Sequence, residues 1–177
     1  GNPPQTREMM KAKIYNSTYK IDDSYRKAIR GTDINRYVNS WNGKRWLKYG
    51  NNLAAPRNSN IFDHDKIIVR QTGDSIIATY DAEKFVCFKN THIINGKQGT
   101  NLYYVLGLLN SKLINYYFRY LNPETGETLA EVKKEVVEKL RIKRSLHELK
   151  LADIVKEILA IKMANVDADI STLENNI

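Results

Sequence analysis

Cysteine, histidine and long apolar runs are all scarce in this chain, and each scarcity closes off a class of function. The single cysteine, Cys87, has no partner for an internal disulfide. It sits in the run Phe85-Val86-Cys87-Phe88, where a buried thiol is expected rather than a reactive one. Three histidines, His64, His92 and His147, lack a cysteine or carboxylate cluster at the usual metal-ligand spacing. No glycine-rich dinucleotide or Walker loop is present, and no Ser/His/Asp set with its elbow glycines. No apolar run approaches the roughly 20 residues that cross a bilayer, so no membrane partner is expected. A reducing cytoplasm fits these absences.

What the chain does contain is positive charge, unevenly placed. The net charge is +8 over 177 residues. Residues 1–120 carry 19 Lys/Arg against 9 Asp/Glu, a balance of +10, and residues 121–177 carry 9 against 11, a balance of −2. Such a split points to a polyanion for the first part and a protein contact for the second. With 42% hydrophobic residues, the chain can bury one core and a small appendage.

The most informative stretch is Lys66 to Asp81, KIIVRQTGDSIIATYD. It reads as two strands joined at a polar elbow, Arg70-Gln71-Thr72-Gly73, with Gly73 and Asp74 supplying the turn. Arg, Gln and Thr can hydrogen-bond base edges or phosphates. Further strands are expected at residues 45–49, 75–80, 85–88 and 91–94, with a short one near residues 13–15. Tyr25 to Tyr37 reads as a helix or turn broken at Gly31, with Asp33 as an N-cap. Residues 51–65 read as loop. Asn101 to Tyr120 carries apolar residues at helical spacing, among them Leu102, Leu106, Leu109, Leu113, Tyr117 and Phe118. Two more helices are expected over about 128–140 and 145–163, and residues 169–174 read as the start of another. The fold class that follows is α+β: a mixed, largely antiparallel sheet packed with helices, then a helical C-terminal segment. Residues 1–144 read as one domain and 145–177 as a helical extension that looks truncated.

Three short motifs invite a catalytic reading and do not sustain it. Asn2-Pro3-Pro4-Gln5 is close to the loop that amino-methyltransferases use, but the aromatic fourth residue is absent. Asp63-His64-Asp65 reads as a loop leading into a strand. Glu131-Val132-Lys133 matches the end of a nuclease signature, which needs a strand and a preceding Asp, whereas a helix is expected here. No catalytic residue and no metal ligand is assigned.

The positive signal is a basic and polar constellation. Lys44, Arg45, Lys48 and Arg57 flank the first sheet strand and the loop after it. Arg70, Gln71 and Thr72 occupy the elbow. Lys89, Thr91, His92 and Lys97, with Asn90, surround the later strands. Arg and Lys pair with phosphates or guanine, and Asn and Gln with adenine. Trp41, Trp46 and the many tyrosines are expected chiefly in packing.

Taken in order, these segments resemble the TaqI-like C-terminal specificity domain, the target recognition domain of adenine-N6 DNA methyltransferases and fused restriction–modification enzymes. The resemblance runs through Arg30-Gly-Thr-Asp-Ile-Asn-Arg-Tyr37, Trp46-Leu-Lys-Tyr49, the Lys66–Asp81 hairpin, Leu106-Gly-Leu-Leu-Asn-Ser-Lys-Leu113, Ala130-Glu-Val-Lys-Lys134 and Leu140-Arg-Ile-Lys143. It covers roughly residues 25–145. In the last of these segments Arg141 and Lys143 stand where the family usually has prolines. The resemblance implies a double-stranded DNA reader, with Arg36 among its DNA-binding residues. It implies no activity in this fragment, and a methyltransferase domain in the same full-length chain that uses S-adenosylmethionine. The competing reading is a protein-interaction module whose apolar helices dock on a partner subunit. A self-sufficient nuclease lacks its carboxylate cluster.

Overall fold

The computed structural model describes residues 5–127 and 130–177. In chain order the elements are α1 (Arg7–Ala12), β1 (Asn16–Ser17), β2 (Tyr25–Ile29), β3 (Ile34–Asn35), β4 (Val38–Asn39), β5 (Trp46–Lys48), β6 (Lys66–Arg70), β7 (Ala78–Asp81), β8 (Val86–Cys87), β9 (Thr91–Asn95), α2 (Leu102–Asn110), α3 (Lys112–Leu121), α4 (Lys134–Val137), α5 (Glu148–Ala164) and α6 (Ser171–Glu174). The expected α+β class is observed.

The fold is layered about β6. This strand pairs antiparallel with β7 and β9, giving a three-stranded sheet. Its run Lys66-Ile67-Ile68-Val69 is buried on both faces, which is why four consecutive residues carry no polar/apolar alternation. On one face Ile67 and Val69 join Ala78, Leu106, Leu109, Phe118, Val155 and Ile158 in the core under the helices. On the other, Ile68 joins Ile29, Ile34, Leu47, Phe62, Phe85 and Val86. That second core lies under a four-stranded sheet of order β1-β5-β2-β8, with β2 and β8 parallel and the other pairs antiparallel. The hairpin β3–β4 closes one side.

Several expectations are corrected by pairing that only the fold supplies. Tyr25–Ile29 is a strand, not a helix or turn. It is shared between β5 and β8, which seals Ala28 and Ile29 completely. The strand near residues 13–15 appears as Asn16–Ser17, preceded by α1, whose start is capped by Thr6 accepting from the Met9 amide at 3.2 Å. The loop over residues 51–65 holds a 3-10 turn at Ser59–Phe62 that buries Phe62.

The long helix expected over Asn101 to Tyr120 is two helices. Asn101 caps the first, accepting from the amides of Tyr103 and Tyr104 at 3.2 and 3.3 Å. Ser111 is extended (φ −66°, ψ 154°) and breaks the run. Its hydroxyl donates to the Leu108 carbonyl at 2.7 Å, closing α2, and accepts from the Ile114 amide at 3.2 Å, opening α3. The break re-aims the second half. Ile114 and Phe118 face the core, while Leu113 and Tyr117 turn outward.

The helix expected over about 128–140 is reduced to α4. Thr128 and Leu129 lie outside the described residues, and residues 130–132 run extended. The expectations over 145–163 and 169–174 appear as α5 and α6. Val155 and Ile158 of α5 enter the same core as α2. A Cβ on Gly107 would lie 2.7 Å from Val155 Cγ2, so α2 and α5 touch at glycine. Gly107→Ala should lower stability by about 1–3 kcal/mol through overpacking, read as a lower urea midpoint. A change below about 0.5 kcal/mol would mean that α5 yields freely.

Cys87 is buried as expected. Burial pushes its thiol up to about 12. A folded-state pKa above the ordinary value of 9.0 means the fold favours the neutral thiol. That contribution is complete below the ordinary value and is lost as pH rises toward the folded one. Folded protein near pH ~8 should resist iodoacetamide and react once unfolded in urea. Equal labelling rates in both states would contradict the burial.

Candidate nucleic-acid interface

The polar elbow ends β6 and is stitched to its neighbours. Arg70 lies opposite Thr91 in the β6–β9 register. The Gln71 amide donates to the Asn90 carbonyl at 3.2 Å, and the Gln71 carbonyl accepts from Val132 at 2.7 Å. Gly73 donates to the Ala130 carbonyl at 2.9 Å, and Thr72 bridges Glu131. The elbow therefore gains a backbone partner in residues 130–132, and the chain reverses just after it, before β7. The Gln71 side-chain amide donates to Glu131 Oε2 at 3.3 Å, which orients it. His92 Nε2 lies 2.6 Å from the Val132 carbonyl, a pairing in which Nε2 donates.

These bonds bring Arg70, Gln71, Thr72, Thr91 and His92 together at one end of the three-stranded sheet. A cavity of about 360 Å³ along the edge strand β9 is lined by Arg57, Ile61, Thr91, His92, Asn95 and Lys134. A second cavity, of about 420 Å³, shares Arg57 and holds Lys89, but it lies against Asn16, Leu47, Val86 and Cys87 of the four-stranded sheet. Thr72, Arg57, Lys89 and Lys134 are exposed, and Arg70, Gln71 and His92 half-buried. Thr91 is buried and its hydroxyl donates to the Phe88 carbonyl at 2.7 Å, so it pins the start of β9. Lys134 and Asn95 line the first cavity, Asn95 at the far end of β9 opposite Lys66, and were not among the expected contacts. Lys134 could have been found from the Lys133-Lys134 pair, but a helix expected there hid that residues 130–132 pair with the elbow.

The other expected contacts lie elsewhere. Lys44 is exposed in the turn before β5, and Arg45 is ion-paired with Asp33. Lys48 is exposed on β5, with its charge near Asp22. Lys97 is exposed in the loop between β9 and α2. Arg36 bonds internally, to the Asn110 carbonyl at 2.7 Å and to Glu174 at 2.5 Å. Tyr37, beside it, is buried with φ +62°, a conformation that a bulky side chain rarely adopts, and burial pushes its phenol up to about 12.

The motifs set aside from the sequence have structural explanations. Asn2, Pro3 and Pro4 lie outside the described residues, while the Gln5 side chain accepts from the Ala54 amide at 3.3 Å. Asp63 pairs with Arg26 at 2.8 Å, and Asp65 accepts from the Tyr80 hydroxyl. Burial, with Asp65 alongside, raises the Tyr80 phenol. Glu131 and Lys133 are not helical as expected, and Lys133 pairs with Glu124.

The segments that suggested a family each hold a joint of the scaffold. Gly31 is needed because a Cβ there would lie 2.7 Å from the Asn90 carbonyl. Asp33, expected as an N-cap, instead accepts from the Arg30 amide at 2.8 Å and closes the turn back on itself. Asn110, buried, clamps the β7 edge with both ends of its amide, accepting from the Ala78 amide at 3.1 Å and donating to the Ala78 carbonyl at 3.0 Å. Asn115 accepts from the Ile76 amide at 2.7 Å. No curated protein gives a significant match to the chain. Residues 26–142 match the TaqI-like C-terminal specificity domain, and the chain belongs to that family.

Proposed function

We propose that this chain is the DNA target recognition domain of a bacterial restriction–modification adenine methyltransferase. The observation that carries the reading is the placing of Arg70, Gln71 and His92 at one end of the β6–β9 pair, with Arg57 and Lys134 lining a cavity along β9 that His92 shares, on a scaffold of the specificity-domain family. Exposed cations there hold phosphates and set register, while Gln71 and His92 present oriented polar groups to base edges. The module contributes binding and alignment. Methyl transfer from S-adenosylmethionine, and any DNA cleavage, belong to other domains of the full-length cytoplasmic protein.

Selection from a randomised duplex library tests this. One enriched motif is expected, bound with an affinity that falls linearly in log–log terms with salt. Absence of an enriched motif, together with no duplex binding at low salt, would overturn the reading.

A further inference from the structure

The outer face of α3 carries a second surface that the sheet end does not use. Leu113, Tyr116 and Tyr120 are 73%, 74% and 80% exposed, and Tyr117 is exposed beside them. Their spacing of i, i+3, i+4 and i+7 makes one continuous stripe. The inner residues of the same helix, Ile114, Phe118 and Leu121, already fill the core, so the outer stripe is surplus to folding. A contiguous exposed stripe of this kind marks an interaction surface.

Its chemistry favours a nucleic acid. Helix α3, KLINYYFRYL, holds Lys112 and Arg119 and no acid. Along its flank is a cavity of about 300 Å³ lined by Arg36, Ser75, Asn110, Lys112, Tyr116 and Arg119. Arg36 is committed to Glu174 at 2.5 Å. Among the described residues Lys112 is held only by the neutral Asn175 side chain at 2.9 Å, and Arg119 faces Asp74 loosely at 3.9 Å, which leaves both able to meet phosphate. A second copy of the chain would bring Lys112 and Arg119 against their own like charges. Tyrosine faces interleaved with cations suit bases and phosphates.

The spacing favours an unpaired strand. Tyr116 and Tyr120 are one helical turn apart, about 6 Å along the axis. Bases within a duplex strand rise about 3.4 Å, so two tyrosines so placed match bases pulled apart rather than a stacked pair. We propose that the outer face of α3 is a stacking platform for an unpaired DNA strand, with Lys112 and Arg119 gripping its backbone. The proposal rests on the DNA-reading function above. It is continuous with the elbow, because Asp74 and Ile76, just beyond Gly73, contact Arg119 and Asn115 of α3.

The test uses the full chain and two labelled probes, an oligo-dT of about 12 nucleotides and a duplex carrying the selected motif, read by fluorescence anisotropy. The double variant Tyr116→Ala/Tyr120→Ala should lose at least about 25-fold in oligo-dT affinity, from roughly fivefold or more per stacked base. Its duplex affinity should stay within about twofold, and Tyr116→Phe/Tyr120→Phe should retain both. An unchanged oligo-dT affinity in the alanine variant would overturn the platform. So would wild-type chain that binds duplex but not oligo-dT, leaving the stripe to a protein partner. Equal losses on duplex and oligo-dT would also overturn it, placing the helix in a groove. Tyrosine-dependent oligo-dT binding without motif selection in duplex would sink the DNA-reading function and leave the platform standing. All the substituted side chains are solvent-facing, so circular dichroism should be unchanged.

Discussion

Lys66→Met should lower the unfolding free energy by about 3–5 kcal/mol, the usual cost of stripping one partner from a buried ion pair. Lys66 Nζ lies 2.5 Å from Asp81 Oδ2, with the two side chains 0% and 1% exposed. The ammonium also donates to the Phe62 carbonyl at 3.1 Å. Methionine keeps most of the stem and its packing but removes the charge, so the Asp81 carboxylate would be left buried without its cation. Asp81 has a second duty, accepting from the amides of Glu83 at 2.8 Å and Phe85 at 3.0 Å, which fixes the turn from β7 into β8. The loss would be a large part of the roughly 5–15 kcal/mol that holds a typical domain. Urea denaturation of Lys66→Met, Asp81→Leu and the double variant measures it. The double variant should cost clearly less than the sum of the singles, by about 1–3 kcal/mol of coupling. Additive singles, or a Lys66→Met loss under about 1 kcal/mol, would show that the pair is not sealed from water.

The second large effect is on DNA. Arg57→Ala/Lys134→Ala should weaken binding to every duplex alike and reduce the salt slope by about 0.9 for each phosphate contact removed. Gln71→Ala should behave differently, costing about 1–3 kcal/mol at one base pair and relaxing choice there while leaving the salt slope alone. Its amide is aimed by Glu131, so Glu131→Ala should blunt the same preference and, by removing a negative charge at the interface, raise affinity overall. Library selection with each variant and affinity measured at several salt concentrations separate these outcomes. A Gln71→Ala chain that selects the unchanged motif would remove Gln71 from base reading. Arg36 and Arg45 are expected to act through stability instead, since Glu174 and Asp33 already hold them.

The class of the fold, the β6 strand to the residue and the family were legible in the residue pattern alone, whereas the second strand of the hairpin, expected over residues 75–80, forms at Ala78–Asp81. The legible features are local or periodic properties: the apolar run Ile67-Ile68-Val69, a glycine-marked turn, helical spacing over two or more turns. The basic elbow was legible for the same reason, because Arg70, Gln71 and Thr72 are consecutive in the chain.

The remaining features depend on contacts between segments distant in the chain. Tyr25–Ile29 became a strand because β5 and β8 offered it partners from about 20 and 60 residues away in the chain, a stabilisation no local propensity records. Residues 130–132 became extended because the elbow's backbone groups needed satisfying. Ser111 broke a helix that periodicity read as continuous, since its hydroxyl serves two helix ends at once, and that break turned Leu113 and Tyr117 out to solvent. Long-range pairing likewise sorted the cations. Arg36 and Arg45 were drawn into ion pairs, while Arg57 and Lys134, far apart in sequence, were set on one cavity beside His92. Charge and residue type named the candidates; which of them stand free at one place depended on contacts that form only when distant strands meet.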